Sequence, residues 1–270
     1  MSALSLQQIL SAQDLPLFIA LSGGIDSVTL MTIAATVRRA PTIAVHAVSA
    51  AVPSQATERC RRLAAQFHWQ LQEINAGEFE SAKYVSNPVN RCYYCKSSLF
   101  DSILSTVDES AVIATGTNTD DLGDYRPGLK AAAERRVWQP YVEAGVDKDA
   151  IRALALEYGL GDLSRLPAQP CLSSRIETGI TINVDDLRFV HAVETALEKL
   201  LGPGDIRCRV VSAGVVAQLP KSCGVFDSDN KYQMVESLVK KICTEHSRQF
   251  IKIEPYAMGS AFLHGKRPAP

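Results

Sequence analysis

From residue 17 the chain reads LFIALSGGIDSVTLMTIAATVRR: a short apolar run, a pair of glycines, then a helix-length apolar segment. That order predicts a buried strand, a tight loop and a buried helix. Strand-like runs recur at residues 42–48, 70–74 and 111–115, and helical periods fill 55–67 and 96–107. Strands alternating with helices of this length predict βαβ units, hence an α/β fold with a mostly parallel sheet flanked by helices. Asp147 is placed to cap a helix over 148–158 and Gly159 to stop it.

The pattern changes after about Leu160, where GDLSRLPAQPCLSSRIETGITI is rich in turn residues and carries no helical period. A junction is expected here, with domains over 1–165 and 166–270. The second stretch predicts helices over 185–201 and 230–246 and strands over 206–211, 215–219 and 250–253, enough for a smaller α/β domain. The tail KRPAP is expected to fray.

Composition narrows the field. The 28 Lys and Arg against 29 Asp and Glu leave a net charge of -1, so no global field draws the chain to nucleic acid or anionic lipid, and any nucleotide must be held locally. No stretch approaches the ~18 apolar residues of a membrane span and no leader pattern opens the chain, so a cytoplasmic protein without a membrane partner is expected. Seven cysteines in 270 residues do not resemble a dense disulfide framework, which points clustered cysteines toward metal binding or catalysis.

The hexapeptide Ser22-Gly23-Gly24-Ile25-Asp26-Ser27 joins the first strand to its helix. Backbone N–H groups at a helix start cradle phosphate oxygens, the glycines permit close approach, Ser22 and Ser27 add hydroxyls, and Asp26 is a magnesium ligand by chemistry. An ordinary Gly-Gly turn is the plainer reading. The strand, SGG, then Asp-Ser at the helix start resembles the PP-loop of the N-type ATP pyrophosphatases, which implies cleavage between the α and β phosphates of ATP. Ser49 ends the second strand, where that superfamily contacts adenine. Gly116, Thr117 and Asp121 follow the fourth, beyond the carboxyl ends where open α/β sheets gather ligands.

Cys92 and Cys95 form CYYC in NRCYYCKSSLF, and Cys171 lies in QPCLSSR. Two-residue spacing suits a shared metal, a cluster or a redox pair. No second pair completes a zinc site. Three cysteines suit a [4Fe-4S] cluster with one iron left open, and a redox pair beside a buried Cys171 is the alternative. Cys60, Cys208 and Cys243 fall in helical or strand patterns and read as packing residues, with Cys223 in a loop.

Together SGGIDS, NPVNRCYYCKSSLF, GTNTDDLGDYRPGLKAA and PCLSSR resemble the LarE-type ATP-dependent sulfur transferases of nickel-pincer cofactor biosynthesis, from about Leu17 to the Arg207 region. The resemblance implies that ATP and Mg2+ adenylate a carboxylate of a pyridinium mononucleotide and that sulfur then gives a thiocarboxylate. In one version of the family the cysteine matched by Cys171 sacrifices its own sulfur. In the other it joins a CxxC pair to hold a [4Fe-4S] cluster, and Cys92 with Cys95 makes this chain similar to the second. The resemblance also places Asp124 and Arg126 at the substrate, matches Arg207 and Arg209 to a pair that binds its phosphate, and sets Arg175 beside Cys171, where its charge would favour a thiolate or an incoming anion. It implies a homo-oligomer and leaves the sulfur donor open. IETGI and LSRLPAQP depart from the family's usual Pro-Tyr-Gly and Trp-Asp-Lys-Pro runs, which leaves the acceptor open. An amide-forming NAD-synthase-like enzyme, a tRNA-thiolating enzyme and a non-catalytic nucleotide or cluster sensor are the rivals. The cysteines oppose the first, and the neutral charge with no basic RNA-binding module opposes the second. Asp26 and Ser27, suited to metal-assisted phosphate chemistry, oppose the third.

Overall fold

The computed structural model describes residues 5–257 apart from 109, 124, 167 and 168. It divides into two compact units, Met1–Ser81 with Asn90–Gln169, and Ala82–Val89 with Pro170–Pro270. The boundary expected at 165/166 thus lies at 169/170, and a short internal segment goes with the second unit. The reason is local bonding: the Asn87 amide donates to the carbonyls of Glu177 (2.8 Å) and Ile180 (3.0 Å), and Tyr84 Oη is 2.6 Å from Ser173 Oγ.

The chain opens with α1 (Leu6–Ser11), β1 (Leu17–Ala20), α2 (Ile25–Val37), β2 (Thr42–Ala47), α3 (Ser54–Phe67) and β3 (Gln70–Ile74). After α4 (Ala82–Val85) come α5 (Arg91–Leu104), β4 (Val112–Ala114), α6 (Pro127–Glu134), α7 (Pro140–Glu143) and α8 (Lys148–Glu157). The first unit's four strands are all parallel, in the order β3-β2-β1-β4. Strand geometry turns alternate side chains to opposite faces. On β1, Leu17 and Ile19 face a core with α1, α2, α3 and α8, while Phe18 and Ala20 face α5 and α6. Both faces are covered, which is why these strands read as continuous apolar runs. Helix α2 is buried from Ile25 to Ala34 save Asp26, and is apolar on all sides. α3 instead buries one stripe, Ala56, Thr57, Cys60, Leu63 and Ala64.

Helix α5 begins five residues before the sequence pattern predicts, so CYYC lies within it. Past β4, Trp138 adds a parallel bridge to Ala114, its N–H donating to Ile113 at 2.8 Å. Asp147 caps α8 through Ala150 N (2.8 Å), and Gly159 takes the left-handed conformation beyond it.

The second unit carries α4, α9 (Val184–Leu201), β5 (Arg207–Val211), β6 (Gly214–Leu219), α10 (Asp229–Glu245) and β7 (Phe250–Pro255). Its sheet order is β5-β6-β7, antiparallel then parallel, with α10 as the crossover. Among the described residues no helix is long and apolar enough to cross a membrane.

Candidate functional site

Residues 22–27 turn from β1 into α2. Gly24 is the N-cap of α2 and supplies no side-chain cap, so the first-turn N–H groups keep donor capacity and the helix dipole adds positive potential. Ser27 Oγ, buried, accepts from Ser22 N (3.1 Å), donates to Gly24 O (3.2 Å) and lies 3.1 Å from Ser22 Oγ. Ser27 thus braces the loop, and Ser22 Oγ accepts from Gly24 N at 3.3 Å. Gly23 has φ +78, and a Cβ there would stand 2.9 Å from Ala56 O and 3.2 Å from Cys60 Sγ on α3. Only glycine fits so close an approach in that conformation.

The underside of the loop is held by β2 and α3. Buried His46 bonds Leu21 O (2.8 Å) and Thr57 Oγ1 (2.9 Å), with Cys60 Sγ 3.5 Å from its Nδ1. Burial pushes the Cys60 thiol up to about 12, so it stays protonated, in keeping with a packing role. Arg59 Nη1 donates to Gly23 O (2.7 Å) and to Gln169 Oε1 (3.0 Å), and burial lowers the Arg59 pKa.

The loop beyond β4 closes on the start of α2. A Cβ on Gly116 would lie 2.8 Å from both Asp26 C and Ser27 N. Thr117 Oγ1 meets Thr115 Oγ1 at 3.1 Å, and Asp121 accepts from Asn118 N (3.2 Å) and from Arg126 (2.8 Å). Arg126 therefore joins Asp121, and Asp124 lies outside the described residues. Ser49 follows β2 and accepts from Ala51 N at 3.2 Å.

Asp26 receives the ammonium of Lys148, with Nζ 2.5 and 2.6 Å from its two oxygens. Lys148 N donates to Asp120 (3.0 Å), and Tyr141 Oη donates to Asp26 O (3.0 Å). Burial, reinforced by Asp26, holds the Tyr141 phenol well above its usual range, so it remains a donor. Sequence reasoning missed Lys148. A cation in the first turn of a helix opposes the macrodipole, and that misfit is the signal that could have flagged it.

On α5, Cys92 is exposed and Cys95 half-buried, one turn apart and so on one face. No disulfide joins any of the seven cysteines.

In the second unit Cys171 is the N-cap of a 3-10 turn, Leu172–Arg175. Arg175 fills the inside of that turn, its Nη1 donating to Pro170 O (2.8 Å), Cys171 O (3.3 Å) and Ser174 Oγ (3.0 Å). Its other edge is bidentate to buried Glu194 of α9 at 2.9 and 3.0 Å, and Glu194 also accepts from Cys208 N at 2.8 Å. Arg175 is held against the Cys171 carbonyl and Glu194. Glu194 was also missed; a carboxylate inside the apolar stripe Leu187, Val190, Val193, Leu197 was its sequence signal.

Arg207 and Arg209 share one face of β5. Arg209 donates to Gln218 (2.9 Å) and Ser174 O (2.7 Å), and burial, aided by Arg175, brings its pKa down to about 10. Arg207 bonds Asp205 (3.0 Å) and stacks over Tyr256.

No family model matches the chain. It is 37% identical over 196 residues to an uncharacterized protein of Synechocystis sp., covering 71% of each chain. An uncharacterized protein of Methanocaldococcus jannaschii is 27% identical over 195 residues, 72% of this chain and 73% of that one. The pyridinium-3,5-bisthiocarboxylic acid mononucleotide synthase of Lactiplantibacillus plantarum is 30% identical over 207 residues, 76% of this chain and 74% of its own. At that identity and coverage, the protein belongs to the family of that synthase, the LarE family.

Proposed function

We propose that this chain is an ATP-dependent sulfur transferase that adenylates a carboxylate of a pyridinium mononucleotide and converts it to a thiocarboxylate. The observation that carries the reading is the loop at residues 22–27: a glycine-cleared cradle at a helix start with no side-chain cap, beside Asp26 and Lys148. The substrate class follows the name of the Lactiplantibacillus relative.

On this reading the loop N–H groups hold ATP phosphates, and Asp26 would hold Mg2+. Lys148 neutralises Asp26, and with Mg2+ held by Asp26 its ammonium would serve a phosphate instead. A substrate carboxylate oxygen attacks the α-phosphorus and pyrophosphate leaves. Sulfur then attacks the acyl carbon and AMP leaves. Positioning of these groups is the protein's contribution. Gly116 brings the loop after β4 onto the start of α2, and Ser49, Thr117 and Asp121 line the same strand ends. Arg126, Arg207 and Arg209 are assigned to the mononucleotide, as is Asp124.

By donor chemistry a [4Fe-4S] cluster would take the thiols of Cys92 and Cys95, which share one face of α5, and that of Cys171 at the start of its 3-10 turn, although among the described residues no three His, Cys, Asp or Glu side chains are gathered as a metal site. Held by three thiolates, such a cluster would supply an iron open to an exogenous sulfide.

Asp26→Asn is expected to abolish pyrophosphate release while leaving the fold intact, measured with ATP and the pyridinium biscarboxylate mononucleotide. Alanine at Cys92, Cys95 or Cys171 is expected to remove iron and sulfide from anaerobically purified protein while sparing ATP binding. Wild-type turnover by Asp26→Asn removes Asp26 from the site. An intact mass lighter by one H2S after turnover, with Cys92→Ala still competent once, assigns the sulfur to Cys171 itself.

A further inference from the structure

Arg59 uses a single nitrogen for two distant parts of the chain. One proton of Nη1 goes to the Gly23 carbonyl at 2.7 Å and the other to Gln169 Oε1 at 3.0 Å. The first bond fixes a peptide plane. In a trans peptide C=O and N–H point in opposite directions, so holding the Gly23 carbonyl toward α3 sets where the Gly24 N–H points. That N–H is one of the donors of the phosphate loop, and it donates to Ser22 Oγ at 3.3 Å. Gly23 has no room to slide away from this grip, because Ala56 O and Cys60 Sγ of the same helix occupy its flank. The second bond reaches an exposed side chain two residues before Cys171 in sequence. A guanidinium is a rigid plane, so a shift at one acceptor is carried to the other.

We propose that Arg59 is a positioning residue that couples occupancy of the phosphate loop to the order of the chain around Cys171, through the Gly23 carbonyl on one side and the Gln169 side chain on the other. This rests on the reading of the loop as a nucleotide site. A phosphate that draws the Gly24 N–H toward itself turns the Gly23 carbonyl with it, and Arg59 passes the change to Gln169. Sulfur delivery from Cys171 then answers to whether ATP is bound.

The test is amide hydrogen exchange with and without Mg2+ and α,β-methylene-ATP, whose α–β linkage resists cleavage. In the wild type the nucleotide is expected to slow exchange in a peptide covering residues 21–27 and, by about fivefold, in one covering 169–175, the scale of a coupling of one hydrogen bond. Gln169→Ala keeps the first protection and loses the second. Gln169→Glu, with a charged acceptor, keeps both. Arg59→Met loses the second and weakens the first. Protection of 169–175 that survives in Gln169→Ala, or that is missing in a wild type protected at 21–27, overturns the coupling. A wild type unprotected at 21–27 overturns the nucleotide reading, and the coupling falls with it.

Discussion

The loop at residues 22–27 and the turn at 171–175 are both short segments leading into helical structure, and they are held in different ways. The loop is framed by neutral groups: serine hydroxyls, glycine backbone and the His46–Thr57 pair beneath, with charges only at its edges in Arg59 and the Asp26–Lys148 pair. The turn is built around a buried ion pair, Arg175–Glu194, whose donors and acceptors are spent on Pro170, Cys171, Ser174 and Cys208. A segment whose polar groups satisfy one another offers its side chains. One that leaves backbone donors unspent offers its main chain. The first suits the presentation of a sulfur atom, the second the capture of an anion.

Glu194→Ala breaks this contrast most severely. It leaves a buried guanidinium without its counter-charge and the Cys208 N–H without an acceptor, and urea denaturation is expected to show a loss of about 3–5 kcal/mol. A loss below about 1 kcal/mol, the value of an exposed pair, would mean that the turn is not held as described. Gly116→Ala strikes the loop side. Its Cβ would enter the backbone of Asp26 and Ser27, and about 1–3 kcal/mol of stability is expected to go, together with nucleotide affinity read by calorimetry.

A smaller effect sharpens the account of the loop's underside. The Cys60 thiol titrates near 12 when folded and near 9 when unfolded, so its contribution is complete below pH 9 and is lost as pH rises through 12. The stability of wild type relative to Cys60→Ala is therefore expected to fall by about 1.4 kcal/mol per pH unit above pH 9, followed by denaturation at pH 8 and pH 10. The smallest effect is at Asp147→Ala, which uncaps α8 at a cost of about 1 kcal/mol and frays the turn that carries Lys148, seen as faster exchange at residues 148–151.

What the sequence made legible was whatever repeats locally. β1, the glycine pair and α2 announce themselves in one stretch of 21 residues, and Asp147 with Gly159 bounds α8. What it hid are contacts between distant positions. The misplaced charge of Lys148 flags it without naming Asp26 as its partner, and nothing near Asn87 indicates that its amide binds the carbonyls of Glu177 and Ile180. The start of α5 was hidden for a different reason: the aromatic Tyr93 and Tyr94 weaken the helical signal ahead of residue 96, although CYYC is a turn of that helix. The cysteines that sequence assigned to packing, Cys60, Cys208 and Cys243, are all buried, and burial raises the pKa of each.

The enclosure of α2 has a consequence for ionic strength. At physiological salt, mobile ions screen charges in solvent over about 8 Å, which is how surface lysines lose their hold on anions. From Val28 to Ala34, α2 touches protein on every side, so its peptide dipoles add up within a medium that mobile ions do not enter. Its positive end emerges only at residues 22–27. Attraction to an anion there should fade far more slowly with added salt than attraction to exposed Arg126, which would make the loop a binding site tolerant of salt in a chain with almost no net charge.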